Sequence, residues 1–202
     1  MPLAQFDQGQ LSSGNDAKSC GAASILVILN ELGKETKLTK VLAMAIYMEI
    51  QKACLDESPL GNVATHVVKK GLKAVVIENT TVTTGLLGAV PALQGAYDEY
   101  LADMKKNKLT PTKITSYTKG QFDGDARVML VVSFMNKGAP AQHYVLARRT
   151  SGTDYSVMNP DGGVETAIKE ADLLSFMNTV GKQAKFGKVT YSFTGLCVQV
   201  KK

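Results

Sequence analysis

The chain has 202 residues, 45% of them hydrophobic, which is enough to bury a substantial core, and this length favours one domain over residues 1–202. Its 23 basic and 18 acidic residues leave a net charge of +5, but the basic residues are scattered. The densest spots, Lys105-Lys106-Asn107-Lys108 and Arg148-Arg149, lack the interleaved aromatics of a single-strand stacking platform, so both read as solvated surface and nucleic acid is not an expected partner.

Cys20, Cys54 and Cys197 are an odd number of cysteines at wide spacing, which argues against a disulfide framework and for a free thiol made in a reducing compartment. The N-terminus has no basic start followed by an apolar run, and nowhere do about 18 apolar residues follow one another. A soluble chain without membrane insertion is therefore expected, cytoplasmic as synthesised. Export or delivery to a target cell without a standard signal peptide stays open.

In chain order, the polar first nineteen residues are expected to be irregular up to a helix start at Ser19. CGAASILVILNEL is almost wholly apolar and closes at Gly33, the pattern of a buried helix. A second helix is predicted across LTKVLAMAIYMEIQKACL and a third from Asn62 to Lys70, ending at Gly71. LKAVVIE then reads as a strand, NTTVTTG as a break, and ALQGAYDEYLADMKKN as a helix. Strands are predicted over Arg127 to Met135, Gln142 to Arg148, Asp154 to Met158 and Lys188 to Val200, with turns at NKGAP, TSGT and NPDGG and one helix from Lys169 to Val180. Helices first and antiparallel strands second indicate an α+β fold, the helices packed on one sheet.

Thiol catalysis needs a stabilised thiolate, and a helix N-terminus favours negative charge. Cys20 sits there, after the capping candidate Ser19 and before the uncluttered Gly21; the competing reading is an inert thiol in an apolar helix. Of the two histidines, His66 lies in helical NVATHVVKK with no nearby carboxylate or amide to orient it. His143 opens a strand, where its ring can point off the sheet toward a helix end. The imidazole also needs an orienting group on its second nitrogen. Asn159 ends the next predicted strand, which a hairpin at Thr150 to Thr153 folds beside His143; Asp161 is the alternative orienter, and turn chemistry is the competing role for Asn159.

These cysteines and histidines lack the close-paired spacing of zinc sites, so no metal is expected, and Cys54 and Cys197 read as core thiols. The glycines show no phosphate-cradling spacing before a helix, so no nucleotide cofactor is expected.

From SCGAASILVILNELG, through GLKAVVIE and VMLVVSF, to QHYVLARRTSGTDYSVMNPDGG, the chain resembles the papain-like cysteine peptidases of the double-glycine type, which process bacteriocin leader sequences. The resemblance spans about Ser19 to Gly163, and is one of order and spacing. Its most specific parts are Cys-Gly at a helix start and His-Tyr-Val-Leu followed by Asn-Pro, where the family usually has Asp-Pro. It implies a papain-like fold, Cys20 as nucleophile, His143 as base and Asn159 as orienter.

The family's oxyanion-binding glutamine would fall at Gly14, so the expected oxyanion donors are the Cys20 backbone N–H and Asn15; Gln10 and Gln8 are more distant amides, and Asp16 could serve only through its backbone. The resemblance further implies a protein substrate with an exposed Gly-Gly segment. A free-standing peptidase of this kind suits a secreted or injected toxin or effector, its producer guarded by an inhibitor or immunity protein. A thiol-dependent deamidase, transglutaminase or amidase uses the same residues. The rival from another class is a catalytically inactive binding module.

Overall fold

A computed structural model describes residues 4–8, 18–53 and 57–202. The fold is α+β, with six α-helices among the described residues and an eight-stranded sheet. Helix α1 (Cys20–Glu31) is buried from Cys20 through Leu29, as its all-round apolar sequence requires. It ends where Gly33 takes φ +73° and the Lys34 N–H bonds back to the Leu29 carbonyl, closing the last turn. Ser19 occupies the N-cap position but makes no side-chain cap bond, contrary to expectation, because its φ/ψ of −97°/9° departs from the extended backbone that aims a cap hydroxyl into the first turn.

Helix α2 (Lys40–Ile50) is capped by Thr39, whose hydroxyl accepts from the Leu42 N–H at 3.3 Å, and it stops at Gln51, short of the predicted end. Cys54 lies outside the described residues. Helix α3 (Leu60–Lys69) starts two residues earlier than predicted, because the Pro59 carbonyl already accepts from Val63. Strand β1 (Lys73–Asn79) leads into α4 (Thr80–Ala89), where the sequence suggested only a break. Asn79 caps α4 through Val82 N–H at 3.2 Å, and burial of Val82, Thr83 and Leu86 overrides the weak helix propensity of the threonines. Helix α5 (Gln94–Lys106) follows.

The sheet adds β2 (Thr112–Ile114), β3 (Arg127–Asn136), β4 (Ala139–Ser151), β5 (Asp154–Asn159), β6 (Val164–Lys169), β7 (Gln183–Phe186) and β8 (Val189–Lys201), with α6 (Glu170–Asn178) between β6 and β7. The order is β2-β1-β8-β3-β4-β5-β6, with β7 paired to β8; β1–β2 is parallel and the other pairs are antiparallel. The unpredicted strands β2, β6 and β7 are short and largely exposed, so they carry little of the hydrophobic alternation by which a strand is recognised.

Along β4, Tyr144 and Leu146 join the core formed by α1, α2, α3 and α5, while Val145 and Ala147 join the core on the opposite face. Helices α4 and α6 supply Val82, Leu173, Phe176 and Met177 to that second core, so the sheet has a helical layer on both faces.

Arg148, expected at a solvated surface, is fully buried. Its guanidinium pairs with the carboxylates of Glu31 and Glu165 and donates to the Ala4 carbonyl at 3.1 Å, while Arg127 shares Glu31. This network ties α1 to the sheet. It also ties down residues 4–8, since the Ala4 N–H donates to Glu31 at 3.1 Å and Gln8 N–H to the Pro160 carbonyl at 2.8 Å.

Candidate active site

Cys20 is the first residue of α1, which packs against β4. The His143 ring and the backbone N–H groups of Tyr144 and Gly21 are the polar groups that act on the Cys20 sulfur. Gly21 permits this approach. A β-carbon there would lie 2.9 Å from Ser58 Cβ and 3.4 Å from the Tyr144 ring, and Tyr144 is itself pinned by its hydroxyl donating to the Ser58 carbonyl at 2.8 Å.

The His143 ring is held by three neighbours. It stacks on Tyr191 at 5.6 Å between centroids with an 11° interplanar angle, and meets Phe134 edge-on at 6.4 Å. Nε2 lies 2.8 Å from Asn159 Oδ1, so with that nitrogen donating to the amide oxygen, Nδ1 is the nitrogen left for the thiol. Asn159 is in turn fixed: its Nδ2 donates to the Phe186 carbonyl and the Tyr191 hydroxyl, both at 3.1 Å, and its Oδ1 also accepts the Asp161 N–H at 3.0 Å. Asp161 thus meets the orienting amide through its backbone, while its carboxylate acts on His143 only electrostatically. The side chain in contact with the His143 ring nitrogen is therefore that of Asn159, and not that of Asp161.

Burial pushes the Cys20 thiol up, but the His143 charge, its hydrogen bond and the Tyr144 and Gly21 N–H groups together bring it below its ordinary value. Burial pushes His143 down, and the Cys20 charge, the hydrogen bonds to Cys20 and Asn159, and Asp161 together raise it. Both shifts favour a thiolate–imidazolium pair, which titrates as a unit.

The remaining thiol-chemistry candidates fall elsewhere. His66 is buried in α3, with Nδ1 3.0 Å from a Glu49 carboxylate oxygen but not aligned for a hydrogen bond, and burial lowers its pKa despite Glu49. Cys197 lies in the core 3.4 Å from the Tyr117 hydroxyl, and burial pushes its thiol up to about 12. Among the described residues no three His, Cys, Asp or Glu side chains gather to hold a metal ion, and no helix is long and apolar enough to cross a membrane.

Asn15, Gln10, Gly14 and Asp16 lie outside the described residues. Gln8, ranked behind Asn15 by sequence spacing, is buried with its backbone bonded to Pro160, next to Asn159, and its Oε1 has no partner among the described residues. Chain folding, not proximity to Cys20 in sequence, brings it there. Tyr191, Phe134 and Ser58 carried no sequence signal, since each is an ordinary strand or loop residue until the sheet assembles.

A cleft of about 60 Å³ is lined by Cys20 and His143 together with Ser58, Val131 and Tyr144.

No protein-family model matches the chain, and no curated protein matches it. A solved double glycine motif protease from an AMS/PCAT transporter, in complex with the leader peptide, is similar in structure over 91% of this chain and 84% of that one, at 15% identity and a TM-score of 0.44.

Proposed function

We propose that this chain is a papain-like cysteine peptidase in which Cys20 is the nucleophile, His143 the base and Asn159 the orienting residue. The observation that carries the reading is the His143–Asn159 contact at 2.8 Å on one ring nitrogen, with a helix-terminal thiol close enough to the same ring for each group to shift the other's pKa. A satisfied structural histidine needs no thiol partner with a lowered pKa.

The chemistry follows from these positions. The Cys20 thiolate attacks the scissile carbonyl carbon, and the imidazolium of His143 gives its proton to the departing amine as the C–N bond breaks, leaving a thioester. His143, now neutral, takes a proton from water; the hydroxide formed at the carbonyl displaces the thiolate, and the acid product leaves. The backbone N–H of Cys20 is one oxyanion donor. Gln8 and Asn15 are the two amides proposed for the second, and loss of the true donor costs about 100-fold or more in rate, so comparing Gln8→Ala with Asn15→Ala assigns it.

Cleavage after Gly-Gly is part of this proposal. A cleft of about 60 Å³ with a pinned tyrosine wall supports it, because a side chain forced into filled space costs about 1–3 kcal/mol or displaces the carbonyl. Action as a delivered toxin or effector, restrained by an inhibitor, is also proposed, on the sequence resemblance alone; an adjacent gene for a small acidic protein that binds this one tests it.

The decisive experiment incubates the protein and its Cys20→Ala variant with a cell lysate and maps new N-termini by mass spectrometry. New termini preceded by Gly-Gly, absent with the variant, are expected. A large residue directly before the cuts sinks the specificity claim. A rise in deamidated glutamine without new termini moves the reading to a deamidase.

A further inference from the structure

The Asn159 side chain that meets His143 is itself gripped by the β7–β8 hairpin. This hairpin pairs Phe186 with Val189 and so turns through Gly187 and Lys188, with Gly187 at φ +66° as such a tight turn requires. It presents two acceptors to one amide, because the Phe186 carbonyl and the Tyr191 hydroxyl each accept from Nδ2 at 3.1 Å, which uses both of the amide's hydrogens. On its other side, Oδ1 meets the Asp161 N–H at 3.0 Å and His143 Nε2 at 2.8 Å. A turned-over amide would set its oxygen against the Phe186 carbonyl and its hydrogens against the Asp161 N–H. The facing is therefore fixed, and His143 Nε2 is the nitrogen that donates.

Within this clamp, the Tyr191 side chain touches both partners. Its hydroxyl holds the amide, and its ring lies nearly parallel to the imidazole, at 11° and 5.6 Å between centroids, the offset arrangement that aromatic rings prefer. The ring has little room to drift. Phe134 meets it edge-on at 5.6 Å, Phe186 stacks on it at 6.1 Å, and it is buried in the core of that face. Burial pushes its hydroxyl up to about 12, so it acts as a neutral phenol at neutral pH.

We propose that Tyr191 is a positioning residue for the thiol chemistry: it holds the Asn159 amide and the His143 ring in one register, which keeps Nε2 on the amide and leaves Nδ1 for Cys20. This rests on the peptidase reading above, and adds to it the side chain through which the β7–β8 hairpin acts on residues carried by α1, β4 and β5. The hydroxyl acts through Asn159, whereas the ring acts on His143 directly. The two parts of the side chain therefore have separable effects.

The test places Tyr191→Phe and Tyr191→Leu in the wild type and in Asn159→Ala. Alkylation of Cys20 by iodoacetamide is followed at pH 6, kcat and KM are measured on a labelled Gly-Gly peptide, and ring-nitrogen NMR shifts of His143 report its tautomer in the neutral form. Tyr191→Phe should lower alkylation and kcat about two- to threefold at unchanged KM, and should have no further effect in Asn159→Ala, because the hydroxyl acts through that amide. Tyr191→Leu should lower both by about tenfold in either background, and should mix the Nδ1–H tautomer into a ring that otherwise carries its proton on Nε2. A merely structural tyrosine would lower the thermal midpoint and leave the alkylation rate and tautomer of the folded protein as they were. A folded Tyr191→Leu that matches its parent in alkylation and tautomer, or a Tyr191→Phe loss of equal size with and without Asn159, overturns the proposal; if Tyr191→Leu does not fold, the Tyr191→Phe comparison decides alone. A Tyr191-dependent tautomer in a protein whose thiol reacts no faster than a free thiol keeps the positioning role and removes the peptidase reading. A fast wild-type thiol with turnover that neither variant changes does the reverse.

Discussion

Replacing His143 by alanine tests the thiolate–imidazolium pair without any knowledge of the substrate. A free thiol with the ordinary value of 9.0 is only about one part in a thousand thiolate at pH 6, and each unit by which a thiol titrates lower raises that fraction tenfold. Of the four influences that lower Cys20, His143 supplies two, its charge and its hydrogen bond, and they outrank the Tyr144 and Gly21 N–H groups. Without them burial dominates and the thiol moves up. Alkylation of Cys20 by iodoacetamide, followed on its own peptide by mass spectrometry from pH 4 to 10, should show wild-type protein reacting at pH 6 at least tenfold faster than a free thiol. His143→Ala should fall at least tenfold below wild type at that pH, and its profile should shift to the alkaline side. Asn159→Ala should lose only a few-fold, because the imidazole keeps its stack on Tyr191 and its electrostatic interaction with Cys20. Wild-type reactivity at pH 6 no greater than that of a free thiol, or an unchanged profile in His143→Ala, would refute the reasoning. So would a larger loss in Asp161→Ala than in Asn159→Ala.

The pair also sets a pH dependence. The raised His143 value contributes stability that is fully present below pH 6.5 and lost as pH rises through the folded value, whereas the lowered Cys20 value contributes above pH 9.0 and is lost as pH falls through its folded value. Each charge depends on the other, so Cys20→Ala should drop the His143 pKa, measured by NMR titration of the ring; an unchanged value would mean the thiol does not face it. Cys20→Ala and His143→Ala should each abolish turnover with an unchanged circular dichroism spectrum, since the two groups act as one unit. Gly21→Ala should destabilise by about 1–3 kcal/mol, because its β-carbon meets Ser58 at 2.9 Å, and thermal unfolding reads this directly. Glu31→Ala leaves the buried Arg148 with one carboxylate and should cost about 3–5 kcal/mol, seen as a midpoint lowered by roughly 10 °C, whereas Arg149→Ala, half-exposed with a 3.4 Å pair to Asp123, should change little.

Local patterns were enough for α1, β1, α5, α6 and the β3-β4-β5 meander, because each carries its own signal: an apolar run closed by Gly33, a β-branched stretch, or alternation bounded by glycine turns. The same patterns put a thiol at a helix start, a histidine on a strand and an amide at the end of the next strand, although β4 begins at Ala139 and so holds His143 inside the strand rather than at its start, because the β3–β4 ladder already pairs Ala139 with Asn136; β4–β5 pairing turns the spacing into a 2.8 Å contact. Other features had no local trace. Helix α4 forms because Asn79 caps it and the core on its face buries Val82, against the propensity of four threonines. Arg148 looks like any basic surface residue until Glu31, far away in the chain, and Glu165, two strands on, converge on it and offset its desolvation. Gln8 reaches the Asn159 turn only through a backbone bond to Pro160, and residues 57–60 and α5 come to line one cavity only in the folded chain. Residue type and spacing determine which groups are present and which elements carry them; pairings between elements far apart in the chain are set by long-range packing, which no short window of sequence encodes.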